Sequence, residues 1–231
     1  MPAKPRSATA GRKPAAPKKT AARKSAPGKA PGKATAKSPP KRAYLSQDLR
    51  RQKILEVAAE IVESQGWAAL NMSALAEKGG TSRQLIYQHF PSLEKLLADT
   101  AWHIFNDTMR GTQASISANP SNLAEAARSA EAVTLDLPPG RGDALWQLIA
   151  GTAAATPELE QMRRGMRELV GGIWTPLVRK ELRLGEADAK AYAWMTVMAF
   201  WGMRQLVRDG DISRARGVAL FNELVARLVR G

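Results

Sequence analysis

The sequence contains no cysteine, which excludes disulfides, thiolate nucleophiles and cysteine-type zinc sites. Histidine is almost as scarce. His89 and His103 are the only two, too few for a histidine-based metal site, so neither a metal nor a cofactor is expected. No apolar run reaches the ~20 residues that a membrane span needs. The longest, residues 191–203, is interrupted by Thr196 and Gly202. Hydrolase and nucleotide-binding signatures are missing too. G-x-S-x-G does not occur. The run from Gly28 to Gly32-Lys33 is one residue short of a Walker A loop, and Gly140-Arg141-Gly142 lacks the third glycine and the preceding strand of a dinucleotide fingerprint. Without a catalytic constellation, an enzyme is not expected.

Acidic residues are absent from residues 1–43, which hold 13 Lys and Arg and eight prolines. The other 188 residues hold 22 basic against 21 acidic side chains, so the net charge of +14 belongs almost entirely to this segment. With nearly nothing apolar to bury, it is expected to stay disordered. It has no apolar core of a secretory signal, and its prolines oppose the amphipathic helix of a transit peptide. Three readings stand side by side. The segment is a nonspecific DNA tether, because Lys and Arg displace condensed counterions. Or it is a solubilising tail, or the product of a start codon placed upstream of the real one.

Alternating strand patterns are also missing, and from Ser46 onward everything reads as helix. Ser46 suits an N-cap, and Ile54, Ala58, Ile61 and Val62 share one apolar face. Gly66 ends that helix. Asn71 caps a two-turn helix with Met72, Leu75 and Ala76 inside, closed by Gly79-Gly80. Ser82 caps a third helix up to Phe90. Ser92 starts a long fourth one through Leu96, Trp102 and Phe105 toward Pro120. Further helices are expected over about 120–136, 143–155, 157–183, 187–208 and 213–230. Pro138-Pro139-Gly140, Thr156-Pro157 and Gly210-Asp211 are the expected breaks, and Pro176 is expected to kink or split the 157–183 helix.

Two short helices around a glycine turn form a helix-turn-helix at about residues 71–90. Its second helix can be rotated at about 100° per residue. Ile86 and Phe90 then share the inner face, and Gln84 and Gln88 point outward one turn apart, flanked by Leu85 and Tyr87. Glutamine can bond an adenine edge and leucine can touch a thymine methyl; an ordinary solvated helix face is the competing reading.

The wording of this segment resembles the DNA-binding domain of the tetracycline-repressor (TetR) family over residues 50–97. The match begins with Arg51-Gln52-Lys53-Ile54-Leu55 and Gly66-Trp67. It continues through Leu75-Ala76-Glu77 and Gly79-Gly80-Thr81-Ser82, and culminates in Ile86-Tyr87-Gln88-His89-Phe90-Pro91-Ser92, followed by Glu94 and Leu96-Leu97. The resemblance implies an all-α homodimer: an N-terminal three-helix DNA-binding head over 46–106, and a ligand-binding and dimerisation domain over 107–231. By position it implies phosphate contacts from Asn71, Tyr87 and His89, with Ser82 and Arg83 beside them, and base contacts from Gln84, Leu85 and Gln88. Thr81 stands where the family often has an apolar residue. Leu93 stands where it often has a phosphate-binding Lys, with Lys95 as the substitute.

Beyond Trp67 the tryptophans are Trp102, on the helix that leads out of the head, and Trp146, Trp174, Trp194 and Trp201 in the C-terminal half. Most read as core, and Trp102 and Trp146 are the candidates for a ligand pocket. Helix 187–208 is apolar nearly all round, which suggests one face on its own core and one on a partner chain. The last helix is similarly broad, and the resemblance also implies a dimer interface there, with Trp201, Phe221 and Val225 as candidates. The combined expectation is a cytoplasmic, nucleoid-associated transcription repressor, released from a palindromic operator by a small-molecule effector. The alternative is an architectural DNA-binding protein that acts mainly through its basic tail.

Overall fold

The computed structural model describes residues 46–118, 122–151 and 156–230. The basic segment 1–43, and the expectations placed on it, lie outside the described residues. All regular structure among the described residues is helical: α1 Gln47–Gln65, α2 Met72–Lys78, α3 Arg83–His89, α4 Leu93–Ala118, α5 Leu123–Leu135, α6 Pro139–Ala150, α7 Pro157–Leu182, α8 Glu186–Asp209 and α9 Arg214–Arg230, with a 3-10 turn over Trp67–Ala69.

Local chemistry sets the element ends. Ser46 Oγ accepts the Leu49 amide at 3.3 Å, Asn71 Oδ1 accepts those of Ser73 and Ala74 at 3.0 Å, and Ser82 Oγ accepts that of Leu85 at 3.2 Å. Each cap satisfies amides that the first helical turn leaves open, worth about 1 kcal/mol. Gly66 ends α1 at φ 85°, a region that L side chains rarely enter. Burial then locks the head. Ile61, Leu75, Ile86 and Phe90 are all but removed from solvent, at about 1.5–3 kcal/mol each.

Two expectations are corrected. Pro138-Pro139-Gly140 is not a break before a helix at 143. α6 starts at Pro139, where a fixed φ and a missing N–H suit the first helical turn. Glycine at 140 and 142 answers close packing. A Cβ on Gly140 would overlap the Glu63 carbonyl oxygen of α1, and one on Gly142 would overlap the Arg204 guanidinium of α8. Pro176 does not split α7, which runs unbroken from Pro157 to Leu182. Met166 and Trp174 before it and Val178 after it are buried in the same core. That packing outweighs the one hydrogen bond proline removes.

α1 rests on α4 and α6, α4 continues from the head into the body against α5 and α7, and α8 packs between α7 and α9. One hydrophobic core runs through these contacts, from Ile86 and Phe90 in the head to Phe221 and Val225 in α9.

Candidate DNA-reading face and effector cavity

The buried anchors fix the rotation of α3. Ile86 and Phe90 point inward, and Gln84, Gln88, Arg83 and Tyr87 are exposed, Tyr87 to 52%. Leu85 and His89 are half-buried at the edges. Neither glutamine amide has a hydrogen-bond partner among the described residues. The outward face therefore presents two free amides one turn apart, with an aromatic hydroxyl beside them.

The other candidate phosphate contacts surround this face unevenly. Ser82 and Asn71 are exposed at the starts of α3 and α2. Asn71 is largely committed to its cap, with Oδ1 on two amides and Nδ2 donating to the Ala69 carbonyl at 3.1 Å. Lys95 donates to Asp99 at 2.7 Å, and Asp99 also accepts from Arg51 at 2.6 Å. The Arg51 guanidinium lies 5.0 Å from the Phe90 ring centroid, so Arg51 ties α1 both to Asp99 of α4 and to the end of α3.

The contact between head and body is polar as well as apolar. Arg141 of α6 pairs with Glu63 of α1 at 2.6 Å and with Asp107 of α4. Burial works against the Arg141 charge, but Glu63 and Asp107 outweigh it and hold the guanidinium above its ordinary pKa. The Trp67 indole donates to the Ala144 carbonyl at 3.1 Å. On its other side α6 meets α8, where Asp143 pairs with Arg208 at 2.8 Å. Buried Arg204 lies 3.8 Å from Asp143 and over the Trp201 ring.

The body holds a partly open cavity of about 90 Å³ between α4, α5, α6, α7, α8 and α9. Its aromatic wall is Phe105, Trp174, Trp194, Phe200, Trp201 and Phe221. Trp102 and Trp146, the candidates from sequence, are not on it. Trp102 instead packs across Gly165 of α7 and edge-on to Phe105. The one carboxylate on the wall, Glu131, was not singled out from sequence, where it looks like any acidic residue in an alanine-rich helix.

Trp201, Phe221 and Val225 are all buried inside their own chain. Phe200 meets Phe221 edge-on at 5.4 Å and Trp201 at 6.0 Å. They are core residues and cannot meet a partner. The open apolar face of α8 and α9 carries Tyr192, Met195, Leu206, Leu220 and Leu224 instead. On α8 the positions Tyr192, Met195, Ala199, Gly202 and Leu206 recur at alternating three- and four-residue steps along one stripe.

A family model described as "Bacterial regulatory proteins, tetR family" matches residues 54–100, the stretch that holds α2, α3 and their buried anchors. Residues 54–100 therefore form a DNA-binding domain of TetR type. The HTH-type transcriptional regulator AlkX of Mycobacterium tuberculosis is 32% identical over 84 residues, which are 36% of this chain and 40% of that protein. The HTH-type transcriptional activator FasR of Mycolicibacterium smegmatis is 38% identical over 63 residues, 27% of this chain and 29% of that protein. The chain thus spans less than half the length of these curated relatives. A TetR transcriptional regulator from Legionella pneumophila matches the fold with a TM-score of 0.61 at 15% identity, over 80% of this chain and 98% of that one. The family-model match lies on the head. The body shares the fold of that solved structure. Among the described residues, no helix is long and apolar enough to cross a membrane and no cluster of metal-ligating side chains occurs. The architectural alternative finds no support in these comparisons.

Proposed function

We propose that this chain is a sequence-specific transcription regulator, a repressor released from its operator when a small molecule fills the cavity. The observation that carries the DNA-binding half is the rotation of α3, which buries Ile86 and Phe90 and leaves Gln84 and Gln88 free. In this reading 46–106 is the DNA-binding head and 107–231 the effector and dimerisation domain. The protein works in the cytoplasm on the nucleoid. Two copies pair through the open stripe on α8 and α9, which places two heads on a two-fold operator. Tyr87, His89, Arg83, Ser82, Asn71 and Lys95 surround the reading face as phosphate contacts, with Lys95 leaving Asp99 to reach DNA.

Base readout tests this reading. Gln84→Ala and Gln88→Ala are each expected to lose about 1–3 kcal/mol of discrimination at one A·T position of each half-site. Tyr87→Phe is expected to weaken all sequences about equally, because a phosphate contact carries no base information. Binding-site selection on the parent and the three variants separates the two effects. An unchanged motif and stringency in both Gln variants would reject the assigned face. Since FasR is named an activator, the sign of regulation is checked separately. A promoter fusion should be silent with the protein and active once the effector is added.

The basic segment adds a sequence-independent contribution in this reading. Deleting residues 1–43 removes 13 positive charges. It is expected to flatten the dependence of log K on log salt for nonspecific DNA, while the operator footprint keeps its position. An unchanged slope would remove the tether from the reading.

A further inference from the structure

The polar groups on the cavity wall are of two kinds. Four are threonine hydroxyls, and each already donates its proton to a carbonyl of its own helix. Thr108 bonds Ile104 at 3.0 Å, Thr112 bonds Thr108 at 3.2 Å, Thr134 bonds Ala130 at 2.7 Å and Thr196 bonds Tyr192 at 2.8 Å. What they can still offer a ligand is lone pairs. The fifth is Glu131 of α5, only 4% exposed. Its Oε2 accepts from Asn222 of α9 at a long 3.4 Å, and its Oε1 is buried with no partner among the described residues.

A buried carboxylate oxygen without a donor is costly, of a kind native structures rarely keep without a use. Tryptophan indoles apart, the polar lining is made of acceptors, so a complementary ligand must bring the donors. The remaining wall is aliphatic and aromatic, and the faces of its six aromatic rings are electron-rich and attract a cation. Size narrows the class further. The cavity offers about 90 Å³ of space and is partly open to the surface, which suits a compact occupant. The occupant is thus on the scale of a single ring or short branched chain.

We propose that the cavity selects a compact organic ammonium ion, its N–H seated on Glu131 Oε1 and its hydrocarbon body against the aromatic wall. This rests on the reading of the cavity as the effector site, and it adds to that reading the charge and donor character of the effector. Glu131 sets the head-group preference, and the rings set the preference for an apolar body.

The test compares three probes with one ring and different head groups: benzylamine, benzyl alcohol and benzoate. Calorimetry and thermal shift with the full-length protein are expected to give benzylamine at least tenfold tighter than benzyl alcohol, and benzoate without measurable binding. Glu131→Gln keeps the shape of the side chain and is expected to erase the preference for the amine while retaining the alcohol. The comparison of the three probes on the parent protein decides the matter even if that variant fails to fold. Equal affinity for amine and alcohol, or tightest binding of benzoate, would overturn the ammonium proposal and leave the effector cavity standing. If none of the three shifts the melting temperature, the cavity reading falls and the proposal falls with it.

Discussion

Replacing Met195 and Leu224 together with glutamate should produce a folded monomer that has lost operator binding by a factor of about 10²–10⁴. Both residues are half open to solvent in the single chain, at 53% and 50%, so a charge there costs the isolated subunit little. In a paired subunit the same charges would be driven into an apolar contact without partners. Operator affinity falls steeply because two tethered heads bind as one event and two free heads do not. Sedimentation combined with an operator titration reads both effects. Phe221→Glu serves as the contrast. Phe221 is 4% exposed in the single chain. A charge there should cost about 4 kcal/mol or more out of a total stability of about 5–15 kcal/mol, so that variant unfolds. A Met195→Glu/Leu224→Glu protein that stays dimeric would reject the stripe on α8 and α9 as the interface.

That contrast marks the boundary of what the sequence carries by itself. Local signals were legible because local chemistry decides them. Ser46, Asn71 and Ser82 are caps wherever helices start behind them, and the glycine at 66 can only end one. The rotation of α3 was legible too, since the eight residues from Arg83 to Phe90, with Ile86 and Phe90 as large apolar anchors, admit one inward face. Periodicity could not divide the apolar circumference of α8 between the chain's own core and a partner. Trp201 and Met195 lie six residues apart on one helix, and which of them faces α9 follows from where α9 packs. The cavity was hidden for the same reason. Six helices contribute its wall, so Trp174 and Trp194 belong to it and Trp102 does not, though all three look alike along the chain. Pro139 misled because the same residue that breaks a helix also begins one.

Breaking the junction at Arg141 is expected to cut the link between cavity and DNA while leaving each end able to work alone. α6 supplies Leu145 and Ile149 to the cavity wall. It also holds α1 through the Arg141–Glu63 pair, the 3-10 turn after α1 through the Trp67–Ala144 hydrogen bond, and α4 through Asp107. A ligand that moves α6 therefore moves the head, and it can shift DNA affinity only by its own differential affinity for the two arrangements. Arg141→Met keeps the stem of the side chain and removes both ion pairs. These groups are only partly buried, so the stability cost should be modest, about 1–2 kcal/mol after solvent screening. The coupling should suffer far more. Allosteric coupling is typically about 5–150-fold and is reciprocal. In the parent, operator DNA should weaken binding of the effector, with benzylamine as the first probe, by the factor by which the effector weakens operator binding. In Arg141→Met that ratio should fall toward one, with both separate affinities within a few-fold of the parent. Glu131→Gln provides the comparison, since a change in the cavity alone shifts the effector titration equally with and without operator and so preserves the ratio. An Arg141→Met protein with the parent's ratio would show that the signal reaches the head along α4 instead.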